Sequence, residues 1–202
     1  MAIILNLETA TTNCSVSLAK DGELLVLRED NTPNYSHSEK LHVFIDEVLA
    51  ESNLKMHDIN AISVSKGPGS YTGLRIGVST AKGLCFALDL PLISIPTLQS
   101  MAAQIKTQKY DFVVPVLDAR RMEVYSAVYD SGGEKTRETL AEIIDENSFG
   151  EFAKNSKVHI VGSGAEKCKL MLRGNGFSFD TGIVPSAREM CKLSYQKYLE
   201  KN

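Results

Sequence analysis

The feature that most restricts the fold is Lys66-Gly-Pro-Gly-Ser-Tyr-Thr-Gly73, a glycine-rich loop between an apolar run at 59–65 and a helical stretch at 74–88. Strand, glycine loop, helix is an α/β signature. Backbone N–H groups at such a turn before a helix N-terminus form an anion cradle, which makes Gly67, Gly69, Ser70 and Thr72 candidates for holding a phosphate. The loop misses both common nucleotide fingerprints. A Walker A loop ends in Gly-Lys-Ser/Thr, whereas Gly73 precedes Leu74-Arg75, and a dinucleotide loop needs glycine where Thr72 stands. On spacing alone, phosphate binding and a structural tight turn both stay open.

The segments around this loop repeat the α/β theme. An apolar run at 3–7 is followed by Cys14, Val16 and Leu18 alternating with Ser15, Ser17 and Ala19, which reads as two strands. Asp21-Gly22 suits a type I′ turn into a third strand at 24–28, giving an antiparallel meander. Ser36-His-Ser-Glu39 has the form of a capping box, worth about 1 kcal/mol. Behind it Leu41, Phe44, Ile45, Val48 and Leu49 share one helical face, predicting a helix from about 38 to 52. A strand at 92–95 and a short helix through 104, capped by Thr97, complete the first subdomain, 1–105.

A second subdomain, 106–202, has strands at 112–117 and 124–129 around the charged turn Asp118-Ala-Arg-Arg-Met-Glu123. A helix is expected within 142–153 and a strand at 158–161, after which Gly162-Ser-Gly164 leads into a helix ended by Gly174. Pro185 opens a terminal helix through about 199, free to return to the first subdomain. No internal repeat stands out in the sequence.

Composition excludes several function classes. With 202 residues, 43% of them hydrophobic and 23% charged, the chain is neither disordered nor a coiled coil. Its 22 basic against 25 acidic residues supply no broad positive field, which argues against autonomous nucleic-acid binding. Cys14, Cys85, Cys168 and Cys191 form no Cys-x-x-Cys pair, so they read as reduced thiols rather than as a zinc or disulfide scaffold. The sequence shows no signal peptide and no membrane span, and a cytoplasmic location is expected.

Few constellations suggest catalysis. His37 and His42 are five apart, about 140° around a helix, and do not share the face that a metal pair needs. No Gly-x-Ser-x-Gly elbow is present. Glu8 and Asp118 each end a strand, where α/β sheets gather ligands, although turn capping explains both more plainly. Arg120 and Arg121 either grip an anion or are exposed turn charges. Gly73, Gly77 and Ala81 recur every four residues, and glycine inside a helix costs about 1 kcal/mol against alanine. That cost implies a close packing demand, met either within the chain or by another molecule.

Three segments together resemble the TsaB (YeaZ) family: Ile3-Ile-Leu-Asn-Leu-Glu-Thr-Ala-Thr-Thr-Asn-Cys-Ser-Val-Ser-Leu18, Gly67-Pro-Gly-Ser-Tyr-Thr-Gly-Leu-Arg-Ile-Gly77 with Thr80-Ala-Lys-Gly83, and Asp118-Ala-Arg-Arg-Met-Glu-Val-Tyr125. The resemblance runs in order through roughly the first 130 residues and fades after Ser131. It implies an actin-like (ASKHA, sugar-kinase/Hsp70-type) fold of two subdomains, the second reduced. It further implies a non-catalytic scaffold in making threonylcarbamoyladenosine on tRNA, bound to a paralogous transferase, TsaD, and to a small P-loop ATPase, TsaE. A homodimer when alone follows from the same resemblance, and the acidic balance of the chain argues that tRNA is contacted only indirectly.

Under it, the partner interface falls on the first two helices, at Glu39, Leu41, Phe44, Ile45, Val48, Gly73, Arg75, Gly77 and Ala81. No cofactor and no metal are required. Weak ATP or ADP binding would use Glu8, Gly67, Gly69, Ser70, Thr72, Asp118 and Arg120. Members of the fold that hydrolyse ATP usually carry aspartate in the first loop, where this chain has Glu8, and loop 8–13 lacks their glycine. The alternatives are a small-molecule kinase of the same fold with Asp118 as base and, ranked last, a metalloprotease.

Overall fold

Alternation along the first strand builds a sheet with two different faces. In the computed structural model, which describes residues 1–32, 37–105 and 109–200, β1 (Ile3–Glu8) sends Ile3, Leu5 and Leu7 to one side and Ile4, Asn6 and Glu8 to the other. Antiparallel neighbours follow in β2 (Cys14–Lys20) and β3 (Glu23–Asp30), joined by the turn at Asp21 (φ 50°) and Gly22 (φ 84°), both in the left-handed region that a type I′ turn requires. Parallel strands β4 (Ala61–Ser65) and β5 (Leu92–Ile95) complete the order β3-β2-β1-β4-β5.

Helices α1 (His37–Ser52) and α2 (Tyr71–Leu88) cover the Leu5 face. Leu41, Ile45, Val48 and Leu49 of α1 enter its core with Ala81 and Cys85 of α2. The Ser36 half of the expected capping box lies outside the described residues. Arg28 on β3 donates to Glu47 and Glu51, pinning α1 to the sheet edge.

The opposite face carries a polar patch. Asn6 and Glu8 stand opposite Ser17 and Ser15 on β2, with Ser63 and Ser65 on β4, and all six are buried. Helix α6 (Ala187–Glu200) seats its N-terminus on this patch: Ser17 Oγ donates to the Ala187 carbonyl (2.8 Å), and the Ala187 N–H donates to Ser15 Oγ (3.0 Å). Beyond the patch Ala187 and Met190 join Ile4, Ala61, Ile93 and Ile95 in an apolar core. The two compact units are accordingly Met1–Ser100 with Pro185–Asn202, and Met101–Val184. The terminal helix belongs to the first unit because Ser15 of β2 accepts the N–H of its first residue and Ser17 donates to that residue's carbonyl.

A short helix, α3 (Thr97–Ala102), leads out of the first unit. The second contains β6 (Phe112–Asp118), β7 (Glu123–Asp130), β8 (Lys135–Ile143), α4 (Gly150–Ala153), β9 (Val158–Val161), α5 (Ala165–Met171) and β10 (Phe177–Asp180). Its sheet runs β8-β7-β6-β9-β10, a three-stranded meander flanked by two parallel strands, which is the order of the first sheet. The chain therefore repeats one topology twice. Sequence reading sees no repeat because the halves share strand order rather than residues.

Two expectations change here. The helix expected within 142–153 shrinks to α4, and Glu142 and Ile143 end β8 instead. Strand β8 is an edge with mostly exposed side chains, so it lacks the apolar alternation that marks a half-buried strand. Strand β10, half-buried along its whole length, is a further strand that the sequence reading does not place.

Candidate functional site

The loop leaving β1 folds back over the N-terminus of α2. Glu8 Oε1 accepts the Ala10 N–H (2.6 Å), and the Thr9 N–H donates to Ser65 Oγ (3.4 Å). The Ala10 carbonyl accepts the Ser70 N–H (2.6 Å), while Ser70 Oγ caps the helix by accepting from Gly73 (3.2 Å). Gly67 is held by the Thr97 N–H on its carbonyl (3.0 Å), and Thr72 is exposed in the first turn of α2. The cradle expected at Gly67, Gly69, Ser70 and Thr72 is thus closed by the chain's own backbone, with carbonyl oxygens where an anion would sit.

The small-residue stripe serves the same closure. A Cβ added at Gly73 would overlap the Thr9 carbonyl oxygen, one at Gly77 would overlap Thr9 Oγ1, and one at Gly69 would overlap the Ala10 carbonyl oxygen. Gly73, Gly77 and Ala81 are buried, so the packing demand is met within the chain and the stripe is not a docking seam. Leu41, Ile45 and Val48 are core residues as well, and Phe44 is half-buried against that core. Of the residues expected at an interface, Glu39 and Arg75 face solvent. His37 is buried, its Nε2–H donating to the Thr11 carbonyl (2.7 Å), whereas His42 is exposed, so the two do not converge.

The outward side of α2 carries Tyr71, Arg75, Ser79, Lys82, Gly83 and Phe86, all exposed and recurring at helical spacing. Phe86 is 92% exposed and Tyr71 74%, with the Arg75 guanidinium 5.3 Å from the Tyr71 ring centroid. A Cβ on Gly83 would meet nothing within 4 Å. On α1 the exposed large apolar residue is Val43, at 50%. Sequence reading missed Phe86 although it lies on the polar side of the helical wheel, four positions after Lys82 and away from Gly77 and Ala81.

Glu8 is fully buried on the α6 face of the sheet, and its Oε2 has no hydrogen-bond partner. Burial pushes its carboxyl up to about 7, against the lowering pull of the Ala10 N–H, the Ser65 hydroxyl and the Thr9 N–H. In the second unit, Asp118 at the end of β6 accepts Lys167 Nζ (2.8 Å) and the Arg120 N–H (2.6 Å) on Oδ1, and its own N–H donates to Ser163 Oγ (3.1 Å). Burial raises this carboxyl, but Lys167 and the Arg120 N–H outweigh it and the net direction is downward. Arg120 (φ 72°) and Arg121 (φ 48°) form the left-handed tip of the β6–β7 hairpin and are exposed. Among the described residues, no group of three or more His, Cys, Asp or Glu side chains is placed to hold a metal ion. The four cysteines are buried and free.

The model of the family described as TsaD, tRNA N6-adenosine threonylcarbamoyltransferase, matches residues 33–191. A Haemophilus influenzae protein named tRNA threonylcarbamoyladenosine biosynthesis protein TsaB is 33% identical over 98% of this chain and 87% of its own length. The chain belongs to the TsaB family. The Escherichia coli protein of the same name is 32% identical, again over 98% of this chain and 87% of its own. A Pseudomonas aeruginosa crystal structure described as an uncharacterized protein with similarity to peptidase YEAZ superposes with a TM-score of 0.85 at 25% identity, covering 99% of this chain and 93% of that one. No helix among the described residues of this TsaB-family chain is long and apolar enough to cross a membrane.

Proposed function

We propose that this chain is an accessory subunit in threonylcarbamoyladenosine formation on tRNA, acting by docking a TsaD-type transferase on the outward face of α1 and α2. Membership of the TsaB family, whose relatives are named for that biosynthesis, supports the pathway. One observation carries the docking surface: Phe86 stands 92% exposed beside Gly83, on a helix whose other side is fully packed. An exposed aromatic next to a position without a side chain suits the close approach of a second helix.

The same reading gives the chain a support role rather than a chemical one. A scaffold does not need the first loop to receive phosphates, and the Ala10 carbonyl occupies the N-terminus of α2. A kinase alternative would rely on Asp118 as base, yet Lys167 engages its Oδ1 and holds it below the usual carboxylate range, which makes it a weaker base. A TsaE-type ATPase, a homodimer in the absence of the transferase, indirect contact with tRNA, weak ATP or ADP binding at the interface and a cytoplasmic location complete the proposal.

The direct test is calorimetric titration of this chain with the transferase. The reading expects binding that Phe86→Ala weakens about tenfold or more while leaving the fold intact. Unchanged affinity in Phe86→Ala removes the α2 face, and no binding by the wild type removes the scaffold role.

A further inference from the structure

The first loop carries buried polar groups that the described residues do not satisfy. Glu8 has zero exposure, one oxygen without a partner, and no cation bonded to it among the described residues. Around it, Asn6 Oδ1, Ser63 Oγ and Thr9 Oγ1 are also buried without a partner. The ionisable groups nearby include the Cys14 thiol on β2, Glu29 and Asp30 on β3, His37, Glu39 and Lys40 at the start of α1, and Arg188, Glu189 and Cys191 on α6. Strand β4 offers only the hydroxyls of Ser63 and Ser65, and α2 turns only Gly73 and Gly77 to the loop. An ionised carboxylate in such a place has no cation bonded to it among the described residues, and burial favours the neutral acid.

The loop that this acid anchors also anchors both docking helices. Ala10 receives the Ser70 N–H of α2, Thr11 receives the Nε2–H of His37 on α1, and Thr9 fills the space left by Gly73 and Gly77. Moving Glu8 toward water must move Thr9 and Ala10, and with them the first turn of α2. We propose that a proton on Glu8 locks the first loop beneath α1 and α2, and that losing the proton releases the loop and weakens whatever docks on those helices. The docking half of this inference rests on the scaffold reading; the lock itself does not.

The experiment is hydrogen exchange on the full chain between pH 6 and pH 8, corrected for intrinsic exchange, reading the amides of Ala10, Ser70 and Gly73 in wild type and Glu8→Gln. With a midpoint near 7 the protonated fraction falls to about a tenth by pH 8. Wild-type protection at these amides is expected to fall about tenfold, while Glu8→Gln, which keeps the shape without the charge, stays flat. Flat wild-type protection, or the same fall in Glu8→Gln, overturns the lock. Should Glu8→Gln not fold, carbon NMR titration of the wild-type glutamate carboxyls decides. A resonance with a midpoint near 7 supports the lock, and all midpoints near the ordinary glutamate range refute it.

Transferase affinity measured at both pH values separates the two claims. Weaker binding at pH 8 in wild type alone supports coupling to docking. Equal affinity at both values removes the coupling. Absence of binding at either pH defeats the scaffold reading while the exchange result still judges the lock.

Discussion

The first strand of each sheet ends on a carboxylate, Glu8 on β1 and Asp118 on β6, in two sheets of the same strand order. Glu8 is sealed against a polar patch with an oxygen left over, and its loop is clamped by the glycine face of α2. Asp118 is exposed and is clamped by charge, through Lys167 of α5 and the hydroxyl of Ser163. Topology places an acid at the strand end; the helix that follows the fourth strand decides what the acid becomes. Where that helix presents glycines the acid is buried and raised, and where it presents a lysine the acid stays ionised.

A steric clamp should be costlier to break than an electrostatic one. Gly77→Leu forces a side chain into Thr9 and is expected to destabilise the first unit by about 3 kcal/mol or more, seen as a lower denaturation midpoint. A variant that melts like wild type would show that the stripe is not packed as described. This substitution consequently tests folding, and it cannot serve as a clean interface mutation.

The pH dependence of the two acids has opposite sign. Glu8 is raised on folding, so its contribution is complete below its ordinary value of 4.5 and is lost as pH rises through about 7. Its loss amounts to about 3 kcal/mol at alkaline pH, at about 1.4 kcal/mol per unit. Asp118 is lowered, so its contribution is present above 3.8 and is lost as pH falls further into acid. Urea unfolding at pH 5.5 and 8.5 should show wild type losing stability on the alkaline side and Glu8→Gln nearly level. An alkaline profile shared by both proteins would assign the loss elsewhere.

Phe86→Ala should separate docking from folding. Removing so exposed a ring is expected to change stability by less than about 0.5 kcal/mol while costing about 2 kcal/mol in partner affinity. The smallest effect belongs to Lys167→Ala. Its partner Asp118 has a 44% exposed side chain, so the change in stability is expected to stay under about 1 kcal/mol. The Asp118 carboxyl should nonetheless titrate higher in the variant, and an unmoved titration would show that Lys167 does not hold it down.

Much of the first unit was legible in the sequence because its elements carry strong periodic signals. The turn at Asp21-Gly22, the inward face of α1 and the loop before α2 follow from alternation, helical spacing and glycine chemistry. What the sequence withheld was direction. The spacing of Gly73, Gly77 and Ala81 demands a close neighbour, but only the path of the loop from Glu8 shows that the neighbour is Thr9. Burial of Leu41, Ile45 and Val48 follows from their helical periodicity, although the resemblance placed an interface on them, since an apolar stripe suits a core and a partner equally well. Likewise the serines of β2 look like the outward half of an amphipathic strand until α6 is seated on them. Strand β8 stayed hidden because an exposed edge strand has no apolar face to announce it.

The central claim is that this chain supports threonylcarbamoyl transfer through the outward face of α1 and α2 without performing the chemistry. The measurement that bears on it most directly is a reconstituted tRNA threonylcarbamoylation assay with a TsaD-type transferase, a TsaE-type ATPase and threonylcarbamoyl-adenylate. It is run without this chain, with it, and with Phe86→Ala. Product that depends on the wild-type chain and falls sharply with Phe86→Ala is the predicted result; equal product in all three arms would contradict the account.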